Sequence, residues 1–404
     1  MVELLPVVHN GKIDKYIATQ YDITVITSEK LTNTKIYLWY IDKAIDITDK
    51  VISQNFNIIV NNYTFNPENW IEILTLCNFY TIEDVEDIVK IIEKTSRKVL
   101  ENKKVVLSYS GGKDSTTALI VLKKLNNYIN FKLNICYTYM PYLEDVNNIK
   151  FIEYVGEKLG VNIEVLSPPK RIVLKFLKKY GLPYRRFRWC TYLKVRPLRE
   201  FCKKNSIEIY AVGDRATECE KRWQRLSEYI LSLKFISKRE FRPIYTLTLL
   251  DVIKICKKYE TVNPQYIEGL TRVSCILCPY KSLPEIYIQN IDNVEDPGLI
   301  ETILRREFYK WYSDKGIEYV DFRDYHLWRF VPNIAKMFIK VRGILREDEH
   351  EYISLEDFRK MYSSIWLNRD PELKIIKFDE MLNKLRRFKL RDLLTYAQRE
   401  TVKN

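Results

Sequence analysis

Apolar residues recur along the chain with two different periods, and the changes of period divide it into three parts. Up to about residue 80, short apolar runs such as Ile36–Tyr40 and Asn57–Val60 stand between Asn- and Asp-rich turns, which predicts the strands of an N-terminal α+β region, residues 1–80, without a chemical motif. Thr81-x-x-Asp84 then resembles a capping box, and Val85, Ile88, Val89 and Ile92 follow at i, i+3, i+4 and i+7, so a helix should run towards Leu100. Alternation begins there. Strands are predicted at Val105–Leu107, Leu133–Thr138, Asn162–Leu166 and Ile207–Val212, and helices at Thr116–Leu125, Asp145–Leu159, Trp189–Lys204 and Thr248–Tyr259. Strands separated by helices imply a parallel, doubly wound α/β sheet covered on both faces, here assigned to residues 81–290. Beyond Pro284 the period is helical, at Pro297–Tyr312, Leu355–Ser364 and Lys374–Arg387, which makes residues 291–404 a C-terminal helical domain.

Between the first strand and the first helix of that alternation lies Ser110-Gly111-Gly112-Lys113-Asp114-Ser115. In an open parallel sheet ligands bind beyond the carboxyl ends of the strands, where this hexapeptide falls. Two glycines let backbone N–H groups approach phosphate oxygens, and the next helix offers its N-terminus to negative charge. Ser110 and Ser115 add hydroxyls, Lys113 can neutralise phosphate, and Asp114 can hold a metal or position a nucleophile. An ordinary Gly-rich turn is the competing reading. The Walker A spacing is absent.

The hexapeptide resembles the loop of the PP-loop superfamily, whose members cleave ATP between the α- and β-phosphates. Arg188-Trp189-Cys190-Thr191, Leu193–Leu198, Gly213-Asp214-Arg215 with Arg222, Arg242-Pro243-Ile244 and Cys275-Ile276-Leu277-Cys278-Pro279 follow in an order similar to the phosphoadenosine phosphosulfate reductase branch, over roughly Lys103–Ser282. The resemblance implies an adenine-nucleotide α-hydrolase-like fold and a nucleotide site at Ser110–Ser115, Gly213 and Arg215, with Lys113, Asp114 and Arg215 catalytic and Mg2+ assisting. Following a strand, Arg215 should reach the phosphate-loop edge and bind an anion bidentately, with Arg222 joining it or forming a surface salt bridge.

Cys275-x-x-Cys278 has metal-ligand spacing, and Cys190 joins the pair if their loops meet above the sheet. The resemblance implies an iron–sulfur cluster, of the 4Fe-4S type, on these three cysteines, with one iron left open; Cys219, standing where the family more often has Ser, is the candidate for a fourth ligand, and a zinc site or buried thiols are the alternatives. Cys77, Cys136, Cys202 and Cys256 sit in apolar patterns and read as core. The three histidines, His9, His326 and His350, share no motif, which argues against a Ser–His pair.

Composition narrows the partners. With 46% hydrophobic and 29% charged residues the 404-residue chain is globular, no apolar run is long enough to span a membrane, and no signal peptide is visible, so a cytoplasmic protein is expected. A net charge of +13 favours an anionic partner. Lys170–Arg199 carries eleven Lys or Arg and no acid, interleaved with Phe176, Tyr180, Tyr184, Phe187, Trp189 and Tyr192, which suits a nucleic acid, tRNA or DNA, with Arg185 and Arg186 as phosphate contacts. A solvated basic helix is the plain alternative, as it is for Lys384, Arg386, Arg387, Lys389 and Arg391.

Three activities follow. A PP-loop ATP pyrophosphatase that adenylates a nucleic acid and then transfers sulfur from a donor accounts for charge and cysteines together. A sulfonucleotide reductase is opposed by the lack of any Cys after Cys278. A nucleotide or redox sensor would bind without turnover. Homodimerisation is open.

Overall fold

The computed structural model describes residues 3–20, 22–28, 33–49, 80–82, 84–345, 351–368, 370, 371, 374–387 and 389. At the N-terminus β1 (Leu5–His9), β2 (Lys12–Gln20), β3 (Ile23–Thr27), β4 (Lys35–Tyr40) and β5 (Lys43–Asp46) form an antiparallel meander. The expected Asn57–Val60 strand and Cys77 lie outside the described residues. β6 (Tyr80–Ile82) precedes α1 (Val85–Leu100), which corrects the capping reading: Thr81 is in a strand, and Asp84 is the N-cap, its carboxylate accepting the Glu86 N–H. The apolar positions Val85, Ile88, Val89 and Ile92 are all buried, as the spacing requires.

The central unit runs β7 (Lys104–Tyr109), α2 (Lys113–Leu125), β8 (Lys132–Thr138), α3 (Asn147–Leu159), β9 (Ile163–Leu166), α4 (Lys170–Tyr180), α5 (Trp189–Lys204), β10 (Ile209–Ala211), α6 (Glu220–Ser232), β11 (Ile236–Ser237), β12 (Glu240–Phe241) and α7 (Leu249–Lys258). Strand order is β11-β12-β10-β7-β8-β9, parallel throughout except for the β11–β12 pair. The doubly wound parallel sheet expected from the alternation is therefore present. From β7 the chain steps outward to β8 and β9 and then crosses back to place β10 on the other side. The carboxyl end of β7 is a switch point where a crevice opens. The core is continuous, with Val105 and Leu107 of β7 packed among Leu119, Leu122 and Ile135.

The C-terminal part is mostly helical: after the short α8 (Pro264–Ile267) come α9 (Leu283–Gln289), α10 (Pro297–Trp311), α11 (Tyr319–Asp324), α12 (Pro332–Leu345) and α13 (Leu355–Leu367). It also supplies two strands that periodicity did not disclose. β13 (Tyr352–Ser354) extends the N-terminal sheet beside β5, and β14 (Lys374–Ile376) pairs in parallel with β6, where a helix from Lys374 was expected; helix begins only at 378. Three residues, Lys-Ile-Ile in β14, are too few to tell one period from the other, and the partner strand decides.

Both ends of the chain converge on a buried ionic hub. Asp22, in the turn between β2 and β3, accepts from Arg329 at 2.9 and 3.0 Å, from Arg342 at 3.0 Å and from the Leu283 N–H at 3.0 Å. Asp22 and Arg329 are fully buried. Burial alone would raise the Asp22 pKa, but the two guanidinium groups outweigh it and hold the carboxyl well below the usual range. Among the described residues, no helix is long and apolar enough to cross a membrane.

Candidate functional site

Gly111 opens the loop with φ +74, the left-handed region that glycine enters without a Cβ penalty. Its carbonyl accepts from Asn263 Nδ2 at 3.0 Å, and the Lys113 N–H donates to Tyr266 Oη at 3.0 Å. Tyr266 is stacked on Trp366 of α13, ring centroids 4.7 Å apart, so the C-terminal part braces the loop. Ser115 Oγ accepts the Ser110 N–H at 3.2 Å and donates to the Gly112 carbonyl at 2.9 Å. This hydroxyl closes the loop on itself. Gly213 is needed for a different reason: a Cβ there would lie 2.9 Å from the Asp114 carbonyl carbon and from the Ser115 nitrogen. Bare backbone lets the end of β10 press against the start of α2.

Through that approach Arg215 reaches the loop, but its neighbours differ from those expected. It is fully buried, its Nε donates to Asp114 Oδ1 at 2.5 Å, and its Nη2 donates to Glu3, a residue that carried no signal in the sequence. Lys113 Nζ lies 3.0 Å from Asp114 Oδ2 and 3.6 Å from Glu3 Oε2. Burial opposes the charge on Lys113, yet Asp114 and Glu3 outweigh it and raise its pKa; burial likewise opposes the Asp114 carboxylate, and Arg215 and Lys113 lower its pKa despite it. Lys113, Asp114 and Arg215 stay ionised. Both oxygens of Asp114 are held by cations, Oδ1 by Arg215 and Oδ2 by Lys113. Arg222 takes the salt-bridge alternative, with Asp214 and with Glu218 at 3.1 Å.

A cavity of about 340 Å³ opens against Lys113, walled by Glu3, Glu218, Cys219, Arg272, Tyr280 and Trp366. Burial, reinforced by Asp114, pushes Glu218 up to about 7. Tyr280 links this cavity to the cysteines, its ring carrying the Arg188 guanidinium at 4.9 Å, two residues before Cys190.

Cys190, Cys275 and Cys278 are brought together: each of the first two interacts electrostatically with Cys278, and Cys275 also with Cys190. All three are free thiols. Burial raises the Cys190 and Cys275 thiols, while Arg188 beside the first and Lys194 beside the second act in the opposite sense. Cys275 Sγ lies 3.7 Å from Glu144 Oε2, which also accepts from Lys194 Nζ at 3.2 Å and the Met140 N–H at 3.1 Å. Lys281 is fully buried nearby, without a hydrogen-bond partner for Nζ, and burial pulls it down to about 8. Among the described residues no three His, Cys, Asp or Glu side chains converge closely enough to hold one metal ion. Cys219 occupies the N-cap position of α6 and lines the cavity. Cys136, Cys202 and Cys256 are buried in the core.

In the basic segment, Arg171, Lys175, Lys178, Lys179, Arg186, Arg188 and Arg199 are exposed, and so are Tyr180, Phe187 and Tyr192. The apolar Val173 and Leu177 face inward. Arg185 is a correction: its Nε donates to the Pro279 carbonyl at 2.8 Å and its guanidinium lies 4.3 Å from the Phe330 ring centroid, so it joins the cysteine segment to the C-terminal part. His326 is buried with its pKa pulled down to about 3, His9 is exposed, and His350 and Arg391 lie outside the described residues.

None of the curated proteins matches this chain. Among solved structures it is similar to the U34-tRNA thiolase NcsA from Methanococcus maripaludis with its [4Fe-4S] cluster, at 17% identity over 58% of this chain and 80% of that one, with a TM-score of 0.35. A 4-thiouridine synthetase–RNA complex with bound ATP is 14% identical over 50% of this chain and 52% of that one, TM-score 0.30. The NH3-dependent NAD synthetase from Campylobacter jejuni is 16% identical over 55% of this chain and 91% of that one, TM-score 0.30. Residues 104–281, close to the Lys103–Ser282 span expected from the motifs, match the phosphoadenosine phosphosulfate reductase domain. That central segment, with the Ser110–Ser115 loop at the carboxyl end of β7 and the paired cysteines, is where the chain matches a phosphoadenosine phosphosulfate reductase domain.

Proposed function

We propose that the protein adenylates a nucleic acid such as tRNA at the expense of ATP, releasing pyrophosphate, and then transfers sulfur to it with release of AMP. The observation that carries the reading is the 340 Å³ cavity, which has Lys113 of the phosphate loop on one wall and Tyr280, two residues beyond Cys278, on another. A substrate seated there meets nucleotide chemistry and sulfur chemistry without leaving. In the first step a substrate oxygen attacks the α-phosphorus and the bond to the bridging oxygen of the β-phosphate breaks; Lys113 offsets charge on the phosphates. In the second, hydrosulfide forms the carbon–sulfur bond and AMP leaves with the substrate oxygen.

Cys190, Cys275 and Cys278 would hold the iron–sulfur cluster, which when bound supplies a place to keep sulfur in reduced form. The protein's own contribution there is positioning: Glu144 and Lys194 fix the Cys275 side, and Arg188 brings positive charge to Cys190. The exposed cations and aromatics of α4 and α5 would guide a phosphate backbone towards the cavity.

The test is pyrophosphate release from ATP with total tRNA or single-stranded DNA added, followed by mass spectrometry of the nucleosides. Lys113→Ala should lower turnover by roughly 10²–10³ while keeping the fold. Nucleotide binding without turnover for any nucleic acid would leave the sensor reading standing instead, and sulfite released from a sulfonucleotide would point to the reductase.

A further inference from the structure

The phosphate loop is electrically balanced before any nucleotide arrives. Lys113 and Arg215 face Glu3 and Asp114, and each cation touches both carboxylates. A polyphosphate approaching such a seat meets no excess of positive charge, because the two acids already neutralise the two bases. One of the acids is fixed and the other is not. Asp114 stands in the first turn of α2. Glu3 lies ahead of β1, whose ladder starts with the Leu5–Ile17 pair, so its carboxylate can swing away without breaking a sheet hydrogen bond. The two acids are similarly exposed, 20% for Glu3 and 22% for Asp114, so the difference between them lies in the backbone that carries each. Arg215 Nη1, buried beside Glu3, has no hydrogen-bond partner among the described residues, which leaves a donor that one carboxylate does not satisfy and a three-oxygen anion can.

We propose that Glu3 is an internal occupant of the phosphate seat, and that a nucleotide phosphate binds by displacing it from Lys113 and Arg215. The exchange replaces one anion by another and preserves the charge balance of the buried guanidinium. It also makes the N-terminal segment a determinant of nucleotide affinity. The inference rests on the nucleotide-binding reading above.

Calorimetric titration of α,β-methylene-ATP and of adenosine into wild type, Glu3→Gln and Glu3→Asp tests it. If Glu3 fills the seat nine-tenths of the time, freeing it should tighten the ATP analogue about tenfold, since apparent affinity scales with the fraction of competent protein. Adenosine has no phosphate, so its Kd should not move. Glu3→Asp keeps the charge but shortens its reach, and should gain by a smaller factor; it also covers the case in which Glu3→Gln does not fold. Variants that bind the analogue no better than wild type, or that gain equally for adenosine, overturn the inference and leave the nucleotide reading intact. Weaker binding by Glu3→Gln would make Glu3 a supporting ligand, which also overturns it. If neither wild type nor variants bind the analogue, the nucleotide reading fails and the inference falls with it.

Discussion

Replacing Gly213 by Ala adds one methyl group, and the structure says where that methyl goes. It would sit 2.9 Å from the Asp114 carbonyl carbon, 2.9 Å from the Ser115 nitrogen and 3.0 Å from the Asp114 oxygen. All three are backbone atoms of the first turn of α2, so no flexible side chain can step aside. Gly213 does not have a positive φ, so alanine meets a steric conflict and no conformational one. Ordinary van der Waals contact begins near 3.4 Å, so β10 and α2 must separate by about 0.5 Å, and overpacking of this kind costs about 1–3 kcal/mol. The larger effect should be on chemistry. Asp114 and Lys113 ride on the displaced turn, and a misplacement approaching 1 Å costs about a hundredfold in rate. Gly213→Ala should therefore keep a cooperative urea transition, shifted by the amount above, and lose roughly 10- to 100-fold in pyrophosphate release under saturating ATP. A variant with wild-type turnover would show that the contact between β10 and the phosphate loop does not position the reacting groups, and the reasoning would be refuted.

Asp22→Ala should cost about 3–5 kcal/mol in urea unfolding, because it strands the buried Arg329 and Arg342; a loss below about 1 kcal/mol would mean the hub is not a structural joint. His326 is held neutral with a folded pKa of about 3, below its unfolded value, so its contribution is complete above about pH 6.5 and declines as pH falls, by up to about 1.4 kcal/mol per pH unit. Urea midpoints between pH 7.5 and 5 should fall more steeply for wild type than for His326→Asn, and parallel slopes would exclude His326 as the source. Anaerobically purified protein should contain iron that Cys190→Ser, Cys275→Ser and Cys278→Ser each deplete, whereas Cys219→Ser should not; stoichiometric zinc, or iron lost on the Cys219 change, would contradict the three-cysteine site. The plot of log K against log salt for tRNA should flatten by up to about two units in Arg186→Ala/Arg188→Ala, both exposed, and an unchanged slope would remove this face from the interface.

What the sequence decided by itself was local. A strand followed by two glycines and a resumed helical period placed the phosphate loop, because backbone conformation at Gly111 and the burial of Val105, Leu119 and Leu122 depend on residue type and near spacing. The same holds for α5, observed at the Trp189–Lys204 bounds that its pattern predicted. The meeting of Cys190 with Cys275 and Cys278 depended on two segments coming together above the sheet, which the sequence left open. Tertiary structure alone decided which charges face one another. Glu3 reaches Arg215 across 212 positions, Asn263 holds Gly111 across 152, and Tyr266 holds Lys113 across 153. None of these leaves a trace in periodicity, although Asn263-Pro264 is a recognisable helix start that could have drawn attention to α8. Arg185 and Arg186 are neighbours of identical chemistry in the sequence, and only packing turns one inward against Phe330 and leaves the other in solvent. β14 was hidden for the same reason, its three residues taking extended form because β6 offers an edge. Period and turn chemistry act over a few residues; an ion pair or a strand partner is set by whichever group the finished fold brings within a few ångströms, and that distance does not exist until the chain has folded.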